Sequence, residues 1–206
     1  MTLRLPVMIS GHGSNLQAVL DAIEHRRLEV EIPLVVSNRR AAYGLERAAH
    51  AGVPTHYAPL RPYTRAGGEG REAYDRALAA VLRAVRPDAI LLAGFMHVLS
   101  EAFLQSVGVP VINLHPALPG QLPGVMAIER AWEQACAGQR HETGVMVHEV
   151  VPEIDAGPVL GTATVAIDIS KGFDAFKQAM HRAEHGLLID VLSRYKTPSL
   201  SSLETT

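Results

Sequence analysis

Val111-Ile112-Asn113-Leu114-His115-Pro116 is a run of strand-forming residues that closes on an amide and an imidazole two positions apart and stops at a proline. Side chains alternate along a strand, so Asn113 and His115 lie on one face. In a parallel sheet, the carboxyl end of such a strand is where ligands bind. The flanking sequence predicts that sheet. Leu5–Ile9, Ile32–Ser37, Thr55–Ala58, Ala89–Ala93 and Val109–Leu114 are short apolar runs. Between them, Ser14–His25, Tyr43–Ala51, Arg71–Val85 and Ser100–Ser106 carry helical periodicity. Strands alternating with helices imply βαβ units and a sheet covered on both faces. Gly52-Val53-Pro54, Arg86-Pro87-Asp88 and Gly108-Val109-Pro110 supply the helix stops.

The pattern changes after Gly124. Val125–Ala137 reads as a helix, and Gly144–Val151 and Pro158–Ile167 as neighbouring strands around the Pro152–Pro158 turn. A closing helix runs from Phe173 to about Tyr195. The expected fold is therefore α/β: a mostly parallel, doubly wound, Rossmann-like sheet with a mixed C-terminal extension and a long last helix. We expect one domain over 1–206, with a mononucleotide-binding half at 1–112, a second half at 113–195 and a flexible Ser/Thr-rich tail at 196–206. The loop Pro59–Gly70, with Gly67-Gly68-Glu69-Gly70, reads as mobile.

Composition narrows the class. The chain has 206 residues, 48% hydrophobic and 19% charged, and a formal net charge of −2. That is enough chain to bury a core without disulfides or metal, and it carries no basic footprint for nucleic acid or an anionic membrane. The single Cys136 excludes an internal disulfide and a cysteine-cluster zinc site; within the helical Ala131–Ala137 stretch it reads as packing. Met1–Pro6 has no signal-peptide layout and no apolar run spans a bilayer, so a cytoplasmic protein is expected.

Ser10-Gly11-His12-Gly13-Ser14-Asn15 follows the first strand and opens the first helix. Glycines turn the backbone tightly and free helix amides attract an anion; plain capping by Ser14 or Asn15 is the alternative. The dinucleotide fingerprint is incomplete, because Leu16 stands where its third glycine would and the second strand ends in Ser37-Asn38 rather than an acid. A single phosphate fits the loop better. Arg71 could grip a phosphate bidentately, or be a solvated arginine. Asp155, before Ala156-Gly157-Pro158, is either a turn former or the carboxylate partner of His115, where it would favour a protonated ring. An amide beside that ring can stabilise a developing oxyanion. No Gly-x-Ser-x-Gly elbow is present, so the set suits attack by a substrate's own amine on a carbonyl. His181 and His185, one turn apart, read as a helix-surface pair rather than a metal site.

Ile9-Ser10-Gly11-His12-Gly13-Ser14-Asn15-Leu16-Gln17, Arg71-Glu72-Ala73-Tyr74-Asp75, Ala93-Gly94-Phe95-Met96, Asn113-Leu114-His115-Pro116 and Asp155-Ala156-Gly157-Pro158, in this order, resemble the glycinamide ribonucleotide transformylases. These are folate-dependent formyltransferases of purine biosynthesis, and the likeness runs from about Leu5 to Tyr195. It implies that Gly13, Ser14, Asn15 and Arg71 hold the ribonucleotide phosphate and that Met96 and Glu184 hold the glycinamide end. It also implies that Asn113, His115 and Asp155 are catalytic. Met96, His97, Val98 and Leu99, with Val151, Pro152, Glu153 and Ile154, would line the folate pocket. The co-substrate would be 10-formyltetrahydrofolate and the acceptor glycinamide ribonucleotide, with no metal, no nucleic acid and no membrane, in a monomer or homodimer.

The chain departs from that family in places. His12 stands where asparagine is common and should leave the backbone cradle intact. His97 stands where arginine is common, Met126 where histidine is often seen, and His181 where glutamine is. Ala117–Gly124 keeps the usual length but lacks the usual lysine. None of these touches the three catalytic positions; they bear on substrate contacts.

Overall fold

The computed structural model describes residues 2–195; the tail 196–206, expected to be flexible, lies outside them. The elements are β1 (Leu3–Arg4), β2 (Val7–Ile9), α1 (Ser14–Glu24), β3 (Val30–Glu31), β4 (Val35–Ser37), α2 (Tyr43–His50), β5 (Thr55–Tyr57), α3 (Arg61–Thr64) and α4 (Arg71–Ala84). They continue as β6 (Ile90–Leu92), α5 (Glu101–Val107), β7 (Val111–His115), α6 (Ala127–Cys136), β8 (Glu142–Glu149), β9 (Val159–Ala166) and α7 (Phe173–Arg194). Seven strands form one sheet in the order β5-β4-β2-β6-β7-β8-β9. It is parallel from β5 to β7 and antiparallel from β7 to β9. This is the expected α/β fold with its mixed extension.

Strand periodicity sorts the core into two. Val7 and Ile9 of β2 pack with Leu16 and Val19 of α1, Ala131 of α6 and Leu188 of α7. Met8, between them, faces Tyr74, Leu78 and Leu82 of α4 and Phe103 of α5. β7 follows the same rule: Ile112 and Leu114 join the first core and Val111 the second. Asn113 and His115 therefore point to the α4/α5 side, at the strand end. The chain leaves β2 toward β4 and β5, then returns to its other flank at β6. That reversal is a topological switch point, and it opens a crevice at the carboxyl ends of β2, β6 and β7.

Three local features differ from expectation. The Leu5–Ile9 and Ile32–Ser37 runs are cut short by Pro6 and Pro33, which cannot donate to a ladder; a small parallel pair, β1 with β3, forms beside the main sheet instead. The Pro59–Gly70 loop is not structureless. Its α3 turn is closed by the Gly70 amide donating to the Tyr63 carbonyl at 2.8 Å. Cys136, expected to pack, is exposed at the end of α6.

Candidate active site

The antiparallel turn from β8 to β9 brings Asp155 to the end of β7. Asp155 Oδ2 lies 3.4 Å from His115 Nδ1 and accepts a 2.8 Å bond from the Gly124 amide. The Asn113 Nδ2 amide reaches Asp155 Oδ1 at 3.4 Å. Asp155 holds φ 54°, a left-handed conformation that disfavours side chains, and strain of this kind collects at functional sites. Gly157 makes the turn possible: a Cβ there would sit 1.9 Å from the Glu149 carbonyl oxygen.

A fourth side chain completes the cluster. Asn113 pairs with His148 across the β7–β8 ladder, and the buried His148 ring sits with Nε2 3.1 Å from Asn113 Nδ2 and 3.7 Å from Asp155 Oδ1. Its Nδ1 lies 2.9 Å from the Glu149 carbonyl and so carries the proton there. That leaves Nε2 to accept from Asn113. Sequence reading missed His148 because its partnership depends on the antiparallel register. A histidine inside an apolar strand was the available signal.

His115 is 4% exposed. Burial is the largest influence on its ring and lowers its pKa below the ordinary value; the Asp155 carboxylate and the Leu122 carbonyl pull it back only in part. The expectation of a protonated His115 in the resting site is thereby corrected: desolvation outweighs the ion pair. Nε2 faces the Leu122 carbonyl at 3.2 Å and keeps its hydrogen, so Nδ1 is an open acceptor beside a carboxylate. For Asp155, burial works to raise the carboxyl. The neighbouring His148 ring, the Gly124 amide that donates to it and the nearby His115 ring outweigh burial and hold the group below the usual carboxylate range.

These groups line a cleft of about 210 Å³. Its walls include Met96, His97, Val98 and Leu99 on one side and Val151, Pro152, Glu153 and Ile154 on the other, with Met126 at the edge. Met96, Val98, Met126 and Ile154 expose apolar side chains to it. No serine, threonine, cysteine or lysine lines it among the described residues. His97 turns its ring away toward β4: Nε2 is 2.8 Å from Asn38 Nδ2, with Phe95 and Tyr74 edge-on. Asn38 also accepts from Ser10 Oγ, which itself accepts from the Met96 amide.

The remaining expected site residues lie outside the cleft lining. Gly13 caps α1 at φ 74°, and neither Ser14 nor Asn15 caps the helix through its side chain, so the α1 amides stay free and the plain-capping alternative does not hold. Asn15 Oδ1 is buried without a partner. Arg71 makes no hydrogen bond to this loop. It binds the fully buried Asp75 at 2.9 Å and donates to the Val98 carbonyl, in the cleft wall. Glu184 is buried on α7, 2.7 Å from His181 Nδ1. His185, whose ring stacks on His181, is half-buried rather than a surface group. No described helix is long and apolar enough to cross a membrane.

Known proteins share this architecture. A profile described as formyl transferase matches residues 3–192. A phosphoribosylglycinamide formyltransferase of Schizosaccharomyces pombe is 42% identical, covering 96% of this chain and 99% of that protein. One from Escherichia coli is 36% identical over 93% of this chain and 86% of its own length. The solved structure of the Coxiella burnetii phosphoribosylglycinamide formyltransferase, in complex with CHES, superposes with a TM-score of 0.83 at 37% identity, covering 94% of this chain and 86% of that one. With the amide, imidazole and carboxylate gathered at the switch point of the sheet, the chain belongs to the formyl transferase family, among its phosphoribosylglycinamide formyltransferases.

Proposed function

We propose that this cleft takes 10-formyltetrahydrofolate and passes its formyl group to the primary amine of glycinamide ribonucleotide, giving formylglycinamide ribonucleotide and tetrahydrofolate for purine biosynthesis. The observation that carries the reading is the Asn113, His115, Asp155 and His148 cluster at the floor of a cleft with no serine, threonine, cysteine or lysine among its described lining residues. Such a site suits attack by the acceptor's own amine.

The neutral amine adds to the formyl carbon, and charge develops on the formyl oxygen. Asn113 Nδ2 gives up its long 3.4 Å bond to Asp155 and donates to that oxygen. The amine nitrogen, now positive, loses a proton to His115 Nδ1, directly or through water. Asp155 stabilises the resulting imidazolium. As the carbon–nitrogen bond to the folate breaks, the proton passes to the departing nitrogen, so the balance closes without metal or added water. Met96–Leu99 and Val151–Ile154 hold the folate ring, Gly13, Ser14 and Asn15 the phosphate, and Met96 and Glu184 the glycinamide end. The protein acts on small molecules in the cytoplasm as a monomer or homodimer, without nucleic acid or membrane.

Tetrahydrofolate release from 10-formyltetrahydrofolate tests the reading, with and without glycinamide ribonucleotide. Release that requires the amine supports it; equal release in water alone would make the protein a hydrolase.

A further inference from the structure

The phosphate loop needs a cation, and the one it touches is not Arg71. Arg47 lies one turn into α2, and three contacts fix it to the loop or its helix. Its Nε donates to the His12 carbonyl at 3.0 Å, its Nη1 to Gln17 Oε1 at 2.9 Å, and its Nη2 lies 3.3 Å from both His12 ring nitrogens. Its guanidinium also lies over the Tyr43 ring, 4.8 Å from the centroid. The docking of α2 that permits this reach depends on two glycines. A Cβ on Gly13 would fall 2.7 Å from Gly44 Cα, and the Gly44 amide donates to the Gly11 carbonyl at 3.1 Å.

The charge of Arg47 is unanswered. Arg4, Arg71, Arg76 and Arg194 each meet a carboxylate, but Arg47 pairs with none among the described residues. Asp21 reaches it only by relay, accepting from Gln17 Nε2 at 2.7 Å. A half-buried guanidinium with spare donors, held beside a left-handed glycine cap and its free helix amides, presents the donors that an anion needs.

We propose that Arg47 is the fixed cation of the ribonucleotide phosphate site, so that it sets the enzyme's preference for a phosphorylated acceptor. This rests on the reading of Gly13–Asn15 as the phosphate loop. Arg47 acts on binding, remote from the reacting atoms, and a lost charge-assisted contact of this kind shows in KM rather than kcat.

The test measures steady-state formyl transfer to glycinamide ribonucleotide and to its dephosphorylated ribonucleoside, with inorganic phosphate as competitor. Arg47→Gln, which keeps a donor for the His12 carbonyl but removes the charge, should raise KM for the ribonucleotide about tenfold or more. KM for the folate and for the ribonucleoside should stay near wild type, and inhibition by phosphate should weaken in parallel. Arg47→Lys should recover part of the loss. A KM that rises equally for both acceptors, or does not rise, overturns the proposal. If phosphate fails to compete with the ribonucleotide in the wild type, the loop assignment itself falls, independently of Arg47.

Discussion

At the residue scale, the site turns on which groups carry charge before substrate arrives. Asp155 is ionised and His115 is neutral, because burial acts on both but only the carboxylate has enough donors to overcome it. A base that must be neutral works at any pH above its own pKa. The acid limb of the kcat/KM profile should therefore have its midpoint below the ordinary histidine value of 6.5; a midpoint above it would mean that Asp155 outweighs burial at the ring, and activity lost as pH rises through this range would mean that the working ring is protonated. His148 makes a second test. Replacing it by phenylalanine keeps the volume but removes the acceptor that orients Asn113, so His148→Phe should lower kcat roughly tenfold while both KM values hold. Unchanged kcat would make His148 a packing residue. Asn113 and His115 were legible as a pair from a period of two. The resting charge of His115 was not, since it depends on burial beneath a loop that brings Leu122 over the ring.

At the scale of elements, loops docked between strands and helices make the two binding regions. The wall Phe95–Ser100 is held by the start of α4: Asp75, fully buried, takes Arg71 at 2.9 Å and the Ser100 amide at 3.3 Å, and Arg71 donates on to Val98. Arg71→Ala leaves a buried carboxylate unpaired, which costs about 3 kcal/mol, and frees Val98 in the cleft wall. We expect a lower midpoint in denaturant and a raised KM for the folate, with KM for the ribonucleotide little changed; the reverse pattern would return Arg71 to the phosphate. The motif Arg71–Asp75 was visible in the sequence, but the direction of its guanidinium was not. That direction is fixed by α5 packing on α4, a contact between residues distant in the chain. Arg47 was illegible for the same reason, because its reach to His12 exists only after Gly44 meets Gly13.

For the whole molecule, the alternation of apolar runs and helical segments made the sheet readable. The breaks at Pro6 and Pro33 trimmed strands without altering their order. The described fold also carries three partly or fully buried histidines, His97, His115 and His185, whose pKa values burial lowers. The unfolded chain then binds more protons than the folded one as pH drops below 6.5. Stability is accordingly full above that value and declines as pH falls through the lowered ones. Thermal melting at about pH 5 should occur at a lower temperature than at about pH 7.5, and His97→Asn should narrow that difference. Equal melting temperatures would show that the histidines charge freely in the fold.

The central claim is that Asp155 gathers the site, fixing the Gly124 loop, Asn113 and the proton-accepting face of His115. Formyl transfer by Asp155→Asn at saturating substrates addresses it most directly. The substitution keeps the shape of the side chain and removes the charge that an imidazolium needs. We predict a kcat at least a hundredfold below wild type, on the order of 3 kcal/mol of lost transition-state stabilisation, with both KM values within a few-fold. A variant turning over at the wild-type rate would contradict the account.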